Sequence, residues 1–391
     1  MSDDILILSG VRTAIGGFGG SLAGFAPIDL AATVTTEAMK RAGVEPGQVG
    51  NVVFGHVINT EPRDMYLSRV AMVQAGIPVE TPAMNVNRLC GSGAQAIVSA
   101  MQSILLGDAD VAVAGGAESM SRAPYALPQA RWGAKMGDVK ALDMMVGALT
   151  CPFGTGHMGV TAENVAAEHD ISRAAQDEFA LESQNRAAAA IAAGHFKSQI
   201  VPITIKGRKG DTVFDTDEHP KATTLEALSG LKTVFKKDGG TVTAGNASGI
   251  NDGAAALVLA RASAANGAKA LAKITGYAIA GVRPEVMGIG PVPAVQALLK
   301  RTGLSIGDFD VIESNEAFAA QALAVTKGLG MDPAKVNPNG GAIALGHPVG
   351  ATGALITVKA LYELERIGGK RALVTMCIGG GQGIALAFER V

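Results

Sequence analysis

At 391 residues the chain is long enough for two or three domains, and its formal net charge of -2, with both signs scattered, excludes the basic face a nucleic-acid binder needs. Hydrophobic residues make up 48% and charged residues 17%, so a large core can be buried. Aromatics at 4% leave Ala, Val, Ile and Leu to pack that core, and 51 glycines without a collagen-like period point to many turns and close backbone approaches.

The N-terminus, MSDDILILSG, sets two acidic residues before a short strand-like run, unlike a signal peptide. No window of 18 apolar residues free of charge is found, so no membrane-spanning helix is predicted. Further strand-like runs follow at 51–58, 109–116, 255–260, 272–280, 309–315 and 371–380. Helical periodicities lie between them at 29–43, 92–107, 292–303 and 352–368. The alternation predicts an α/β protein with parallel sheets and helical crossovers. Three cysteines, Cys90, Cys151 and Cys377, are too few for a disulfide scaffold and suggest a reducing, cytoplasmic setting.

The chain also repeats. Val52 pairs with Val311, Gly93 with Gly353 and Val111 with Ala372, at offsets that drift by only two residues. Two similar halves are therefore expected. Residues 1–120 with 245–270 would form one and 271–391 the other. Residues 121–244 lack the strand–helix rhythm and read as an inserted loop domain, a lid or binding loop. Its long Ala-rich helix, 172–194, has Ser172 as a candidate N-cap.

Candidate chemistry gathers in the Gly-rich turns. In NRLCGSGAQAIVSAM, Cys90 precedes a helix and small neighbours, where the helix dipole lowers a thiol pKa. It reads as a nucleophile or as a buried structural cysteine. In NPNGGAIALGHPVGATGALI, His347 stands where the repeat places the Cys90 turn, so one half offers a thiol and the other an imidazole. It reads as the base for that thiol or as a turn residue.

In MCIGGGQG, Cys377 ends a buried strand, and the glycines after it can aim N–H groups at an oxyanion. A phosphate loop is the rival, but the Lys-Ser/Thr of a P-loop is missing. Asn315, in SNEAFAAQALAV, could cap a helix or donate to an oxyanion, with capping favoured by the segment alone. GHMGVTAENVA carries His157 and Met158, and TVTAGNASGINDGAAALVL carries Asn246 and Ser248, in small-residue loops suited to a narrow tunnel. No metal-ligand spacing is present among the six histidines.

The motifs NRLCGSGAQAI, GGAESMSRAPY, MGVTAEN, VTAGNASGINDGAAA, NEAFAAQALAV, NPNGGAIALGHPVGATGA and CIGGGQG resemble those of the thiolases, specifically acetyl-CoA acetyltransferases and bacterial β-ketothiolases. The resemblance spans nearly the whole chain. It implies a thiolase-like fold, a layered α-β-α-β-α core of two similar halves with an inserted loop domain. It implies reversible Claisen condensation of acyl-CoA with acetyl-CoA, by ping-pong chemistry. Cys90 matches the acylated nucleophile, His347 its base, and Cys377 the acid/base at the α-carbon. Asn315 matches an enolate-oxyanion residue acting through water, and the N–H groups of Cys90 and Gly379 match a second oxyanion hole. His157, Met158, Ser248, Met287, Ala317 and Phe318 match acyl- and pantetheine-contacting positions, and Lys221 a position at the nucleotide end of CoA.

At 217–235 the family usually has Arg where Lys221 stands and Pro where Thr233 stands. The segment NTEPRDMYLSRV resembles enzymes of broader acyl-chain tolerance. Acetyl-CoA, acyl-CoA and CoA are the implied partners, with no separate cofactor and a tetramer built as a dimer of dimers. A ketosynthase would carry a second histidine where Cys377 stands; a silent acyl-CoA carrier on the same fold is the other rival.

Overall fold

An eleven-stranded mixed sheet organises the computed structural model, which describes residues 4–391. Nine strands form its path: β1 (Ile5–Thr13), β2 (Asn51–Gly55), β3 (Ala83–Val86), β4 (Val111–Ser119), β5 (Asn251–Arg261), β6 (Ala272–Gly281), β7 (Val311–Ser314), β8 (Arg371–Ile378) and β9 (Gln382–Glu389). Their order across the sheet is β7-β8-β9-β6-β1-β5-β4-β2-β3. The order reads as two like halves placed back to back. β2, β4, β5 and β1 correspond to β7, β8, β9 and β6, joined where β1 pairs β6 through Leu6↔Lys273 and Ile7↔Ala272.

Purely parallel sheets are not what forms. β2 runs parallel to β3 and β4, and β7 to β8, but β4/β5, β5/β1, β8/β9 and β9/β6 are antiparallel. The reason lies in the connections. Helices carry the chain over between parallel neighbours, whereas residues 379–381 turn β8 straight back into β9, with Gly380 and Gly381 at φ 83° and 91°. The registers also refine the repeat. Val52 lies beside Val113, and Val311 beside Ala372. If Val52 matches Val311, the counterpart of Ala372 is Val113 rather than Val111, a two-residue shift that keeps the side chain on the same face.

Among the described residues eight α-helices have eight residues or more: α1 (Pro27–Ala42), α2 (Leu67–Gln74), α3 (Ser92–Leu106), α4 (Met158–Glu168), α5 (Arg173–Ala192), α6 (Pro291–Thr302), α7 (Ala319–Leu329) and α8 (Thr352–Arg366). α1 packs on β5, β1 and β4, and α6 on β6 and β9. Each begins at Pro and ends at a left-handed Gly, Gly43 or Gly303, so the repeat extends to the caps. α3 and α8 pack on each other between the half-sheets.

That central position explains the composition of α3. Leu89–Leu106 carries mean hydropathy 1.3 over 18 residues and so reaches the length and composition of a membrane span, an amendment to the sequence expectation. Its apolar faces are instead taken up by β2, β4 and α8. Ser172 caps α5, its hydroxyl accepting the Ala175 N–H at 3.2 Å. The segment around Asp217 is tied to β1 by a fully buried pair, in which Arg12 donates to both Asp217 oxygens at 2.7 and 2.9 Å and to Gln199 Oε1 at 2.8 Å.

Candidate active site

Cys90 sits in a tight turn between β3 and α3. Leu89 adopts φ 45°, a left-handed conformation that costs a non-glycine residue energy and marks a site held by its surroundings. The turn is pinned from both sides: Ser92 Oγ donates to Leu89 O at 2.6 Å and accepts the Arg88 N–H at 2.9 Å. Arg88 in turn reaches Gln95 Oε1 and Gln382 Oε1, both at 2.9 Å, so β9 of the other half braces it.

The thiol pKa does not fall as the helix dipole alone would have it. Burial pushes Cys90 up to about 11, outweighing the N–H groups of Gly379 and of Cys90 itself that favour the thiolate. The Cys90 sulfur therefore rests as a thiol, and a base is needed to ionise it.

His347, on the same cavity as Cys90, is held as a neutral imidazole. The short helix Ala342–Leu345 stops at Gly346, where a Cβ would lie 2.5 Å from the Asn251 side chain. Asn251 Oδ1 accepts the His347 N–H at 2.9 Å. His347 Nδ1 lies 2.6 Å from Thr352 Oγ1, and that hydroxyl donates to Pro348 O at 2.9 Å. Having spent its proton, the hydroxyl can only accept from Nδ1–H, which leaves the lone pair on Nε2. Nε2 is buried with no hydrogen-bond partner among the described residues, and burial lowers the imidazole pKa to about 4. The ring is thus neutral, with its basic nitrogen free.

Cys377 lies at the end of β8 and is wholly buried against Met158, Met287, Ala317 and Phe318. Burial, and then the charge of Cys90, push its thiol pKa far up. Gly379, two residues on, directs its N–H at the Cys90 sulfur. Asn315 corrects the capping expectation. α7 starts four residues later at Ala319 with Phe318 as its N-cap, so Asn315 caps nothing. Among the described residues its amide nitrogen and oxygen, both buried, have no partner, a costly state that fits a group that binds a ligand or water.

One cavity of about 340 Å³ gathers most of these groups. Of the residues singled out from the sequence, Cys90, His157, Met158, Ser248, Met287, Ala317, Phe318, His347 and Gly379 line it. Cys377 lies behind the Met158, Met287, Ala317 and Phe318 wall. Lys221 is exposed, does not line the cavity, and donates its N–H to Gln184 Oε1 at 3.0 Å. His157 caps α4: Gly159 N–H donates to its Nδ1 at 3.1 Å, which leaves the proton on Nε2.

Sequence reasoning missed Phe235, which stacks on His157 with ring centroids 4.7 Å apart and meets Phe318 edge-on at 6.4 Å. It also missed Thr352, Asn251 and Glu118, which hold the His347 loop. The signal for Glu118 was there, a carboxylate closing the buried run VAVAGGAE. Among the described residues no three His, Cys, Asp or Glu side chains converge as a metal site.

The chain is similar to known proteins along its whole length. The model of the thiolase N-terminal domain matches residues 5–263, and that of the thiolase C-terminal domain residues 268–390. The beta-ketothiolase BktB of Cupriavidus necator is 65% identical over 394 residues, covering 100% of both chains. An acetyl-CoA acetyltransferase of Syntrophomonas wolfei is 49% identical over 396 residues, again covering 100% of both. The crystal structure of human mitochondrial 3-ketoacyl-CoA thiolase superposes with a TM-score of 0.97 at 46% identity, covering 100% of this chain and 99% of that one. The chain belongs to the thiolase family.

Proposed function

We propose that this thiolase, an acyltransferase, catalyses the reversible Claisen condensation of an acyl-CoA with acetyl-CoA to give a 3-ketoacyl-CoA and CoA, through an acyl thioester on Cys90. The observation that carries the reading is that Cys90 and a neutral His347 with a free Nε2 line one apolar cavity, each from its own half of the repeat.

The chemistry follows from the groups present. His347 Nε2 takes the Cys90 proton as the sulfur attacks the thioester carbonyl. The N–H groups of Cys90 and Gly379 receive the carbonyl oxygen as it becomes an oxyanion. Collapse expels CoA as thiolate, which takes the proton back from His347. Cys377 then passes its proton to the vacated His347, and the resulting thiolate, a strong base in this enclosure, takes an α-proton from a second acetyl-CoA. Asn315, with its unpartnered amide, stabilises the enolate oxygen through a water. The enolate carbon attacks the acyl-Cys90 carbonyl, the product leaves, and the Cys90 sulfur takes the proton that His347 holds. Thiolysis is the same path reversed.

His157, Met158, Ser248, Met287, Ala317 and Phe318 form the wall for the pantetheine arm and acyl group. Lys221 is assigned to the nucleotide end, because His219, two residues before it, packs against Gly249 of that wall. The substrates are CoA thioesters and no separate cofactor is called for. Residues 121–244 act as a substrate-binding and contact domain between the halves 1–120 with 245–270 and 271–391. Exposed apolar side chains there, Trp132 and Met136 at 78% and 97%, support a tetramer. Three free cysteines fit a reducing cytoplasm.

Incubation with labelled acetyl-CoA, followed by peptide mass spectrometry, tests the reading. Label on the Cys90 peptide, released by added CoA, supports it; an enzyme that turns over acetoacetyl-CoA without ever labelling Cys90 refutes it. Thiolysis rates on C4, C5 and longer 3-ketoacyl-CoAs then define chain-length preference.

A further inference from the structure

The loop bearing His347 belongs to the second half, yet two of its main-chain clamps come from the first. Asn251 on β5 holds the His347 N–H. Glu118 on β4 holds the far end, its Oε2 accepting the Gly350 N–H at 2.8 Å. Between the clamps, the Gly350 carbonyl presses into a notch of glycines. A Cβ on Gly55 would lie 2.7 Å from that oxygen, and one on Gly93 3.2 Å. Gly350 itself is fitted to the carboxylate, since a Cβ there would lie 2.5 Å from Glu118 Oε2.

Glu118 is an unusual choice for this place. It is fully buried, where an apolar side chain would cost far less desolvation. Its remaining acceptor capacity is spent on the first half. Oε2 also takes the Val57 N–H and Oε1 the Ile58 N–H, both at 3.1 Å. Beside it, His56 Nδ1 stands 3.4 Å from Oε1 while bound to Ala117 O at 2.9 Å. The carboxylate is thus rigid on its own side, with one strong bond reaching across to the other half. A buried carboxyl with this bonding fixes one relative position of the two halves at the catalytic turn.

We propose that Glu118 is a positioning residue for acyl transfer: it seats the 346–350 loop so that His347 reaches the Cys90 thiol. The proposal rests on His347 being the base for Cys90. Glu118 does not line the cavity, and its charge bears on the Cys90 thiol, so it acts on the rate of acylation and not on thioester binding.

The test compares Glu118→Gln and His347→Gln with wild type in the full-length enzyme. Acylation of Cys90 by acetyl-CoA is followed by rapid quench and expressed per active site titrated. Glu118→Gln keeps the shape, but whichever way the amide turns, its NH₂ meets a backbone N–H, that of Ile58 or those of Gly350 and Val57, and the clamp on the loop loosens. The acylation rate per site is expected to fall about 100-fold, the scale of a 1 Å misplacement, with KM for the thioester unchanged. If Glu118→Gln fails to fold, Gly350→Ala breaks the same contact from the other side and should give the same split.

A rate per site within about threefold of wild type overturns the proposal, as does a fall in the number of active sites alone, the mark of a merely structural role. If His347→Gln keeps wild-type acylation, the assignment of the base fails, and this proposal with it. If His347→Gln loses acylation and Glu118→Gln does not, only the present proposal fails.

Discussion

Gly93 and Gly353 interlock at the start of the two central helices. A Cβ on Gly93 would lie 2.6 Å from Ala354 N, and one on Gly353 would lie 2.8 Å from Ala94 Cβ. Each glycine meets the residue that follows the other, as a two-fold relation between the halves requires. The contact brings the N-terminus of α3, next to Cys90, against the N-terminus of α8, next to His347.

Gly93→Ala or Gly353→Ala should therefore destabilise the protein by at least about 2 kcal/mol, because the neighbour is backbone and cannot turn aside. Denaturant unfolding checks it. Gly43→Ala, where nothing lies within 4 Å but φ is 63°, is the control for conformational strain alone. An interlocking pair also predicts that Gly93→Ala and Gly353→Ala are strongly non-additive.

The hydroxyl of Thr352 fixes which nitrogen of His347 is basic. Thr352→Val keeps the shape and removes that acceptor, so both tautomers become accessible and acylation should slow by about 10- to 100-fold at constant KM. Thr352→Ser should keep near wild-type rates. Equal activity of the Val and wild-type enzymes would show that the tautomer is set elsewhere.

Burial lowers the His347 pKa from 6.5 to about 4. The acid limb of the kcat/KM profile should accordingly lie well below 6.5, and an ordinary imidazole limb near 6.5 that disappears in His347→Gln would contradict this. The same shift carries a stability sign. The folded state favours neutral His347, so its contribution is full above pH 6.5 and is lost as pH falls toward about 4.

Phe235 forms the wall with His157 and Phe318. Phe235→Ala should raise KM for CoA thioesters about tenfold, some 1.4 kcal/mol, through lost stacking and a loosened His157. Steady-state kinetics decide it: a fall in kcat at unchanged KM would place Phe235 in the chemistry instead.

Much of this arrangement was legible from residues alone, and the exceptions share a cause. Strands and crossover helices declared themselves through apolar runs and Gly punctuation, and the pairing of Gly93 with Gly353 came from repeat spacing. The run GIALAF of β9 escaped because three glycines and a glutamine before it read as a loop; the glycines form a three-residue hairpin and Gln382 already belongs to the strand. Cys90 and His347 were visible as chemistry-bearing residues in special turns. Their protonation was not, since desolvation of Cys90 depends on walls from 120, 148 and 349 that only the fold assembles. Asn315 misled because a polar residue at a strand end resembles a cap, and only its unpartnered amide shows otherwise. Glu118 and Thr352 act through partners 232 and 5 residues away, on a backbone N–H and a ring nitrogen that no periodicity records.

The division of labour between the two thiols is tested most directly by Cys377→Ser. Rapid-quench mass spectrometry with acetyl-CoA should show Cys90 acetylated at near wild-type rate, while condensation to acetoacetyl-CoA is lost by about 100-fold or more, the scale of a general-base deletion. A variant that neither acetylates Cys90 nor condenses, or one that does both at wild-type rates, would contradict the account.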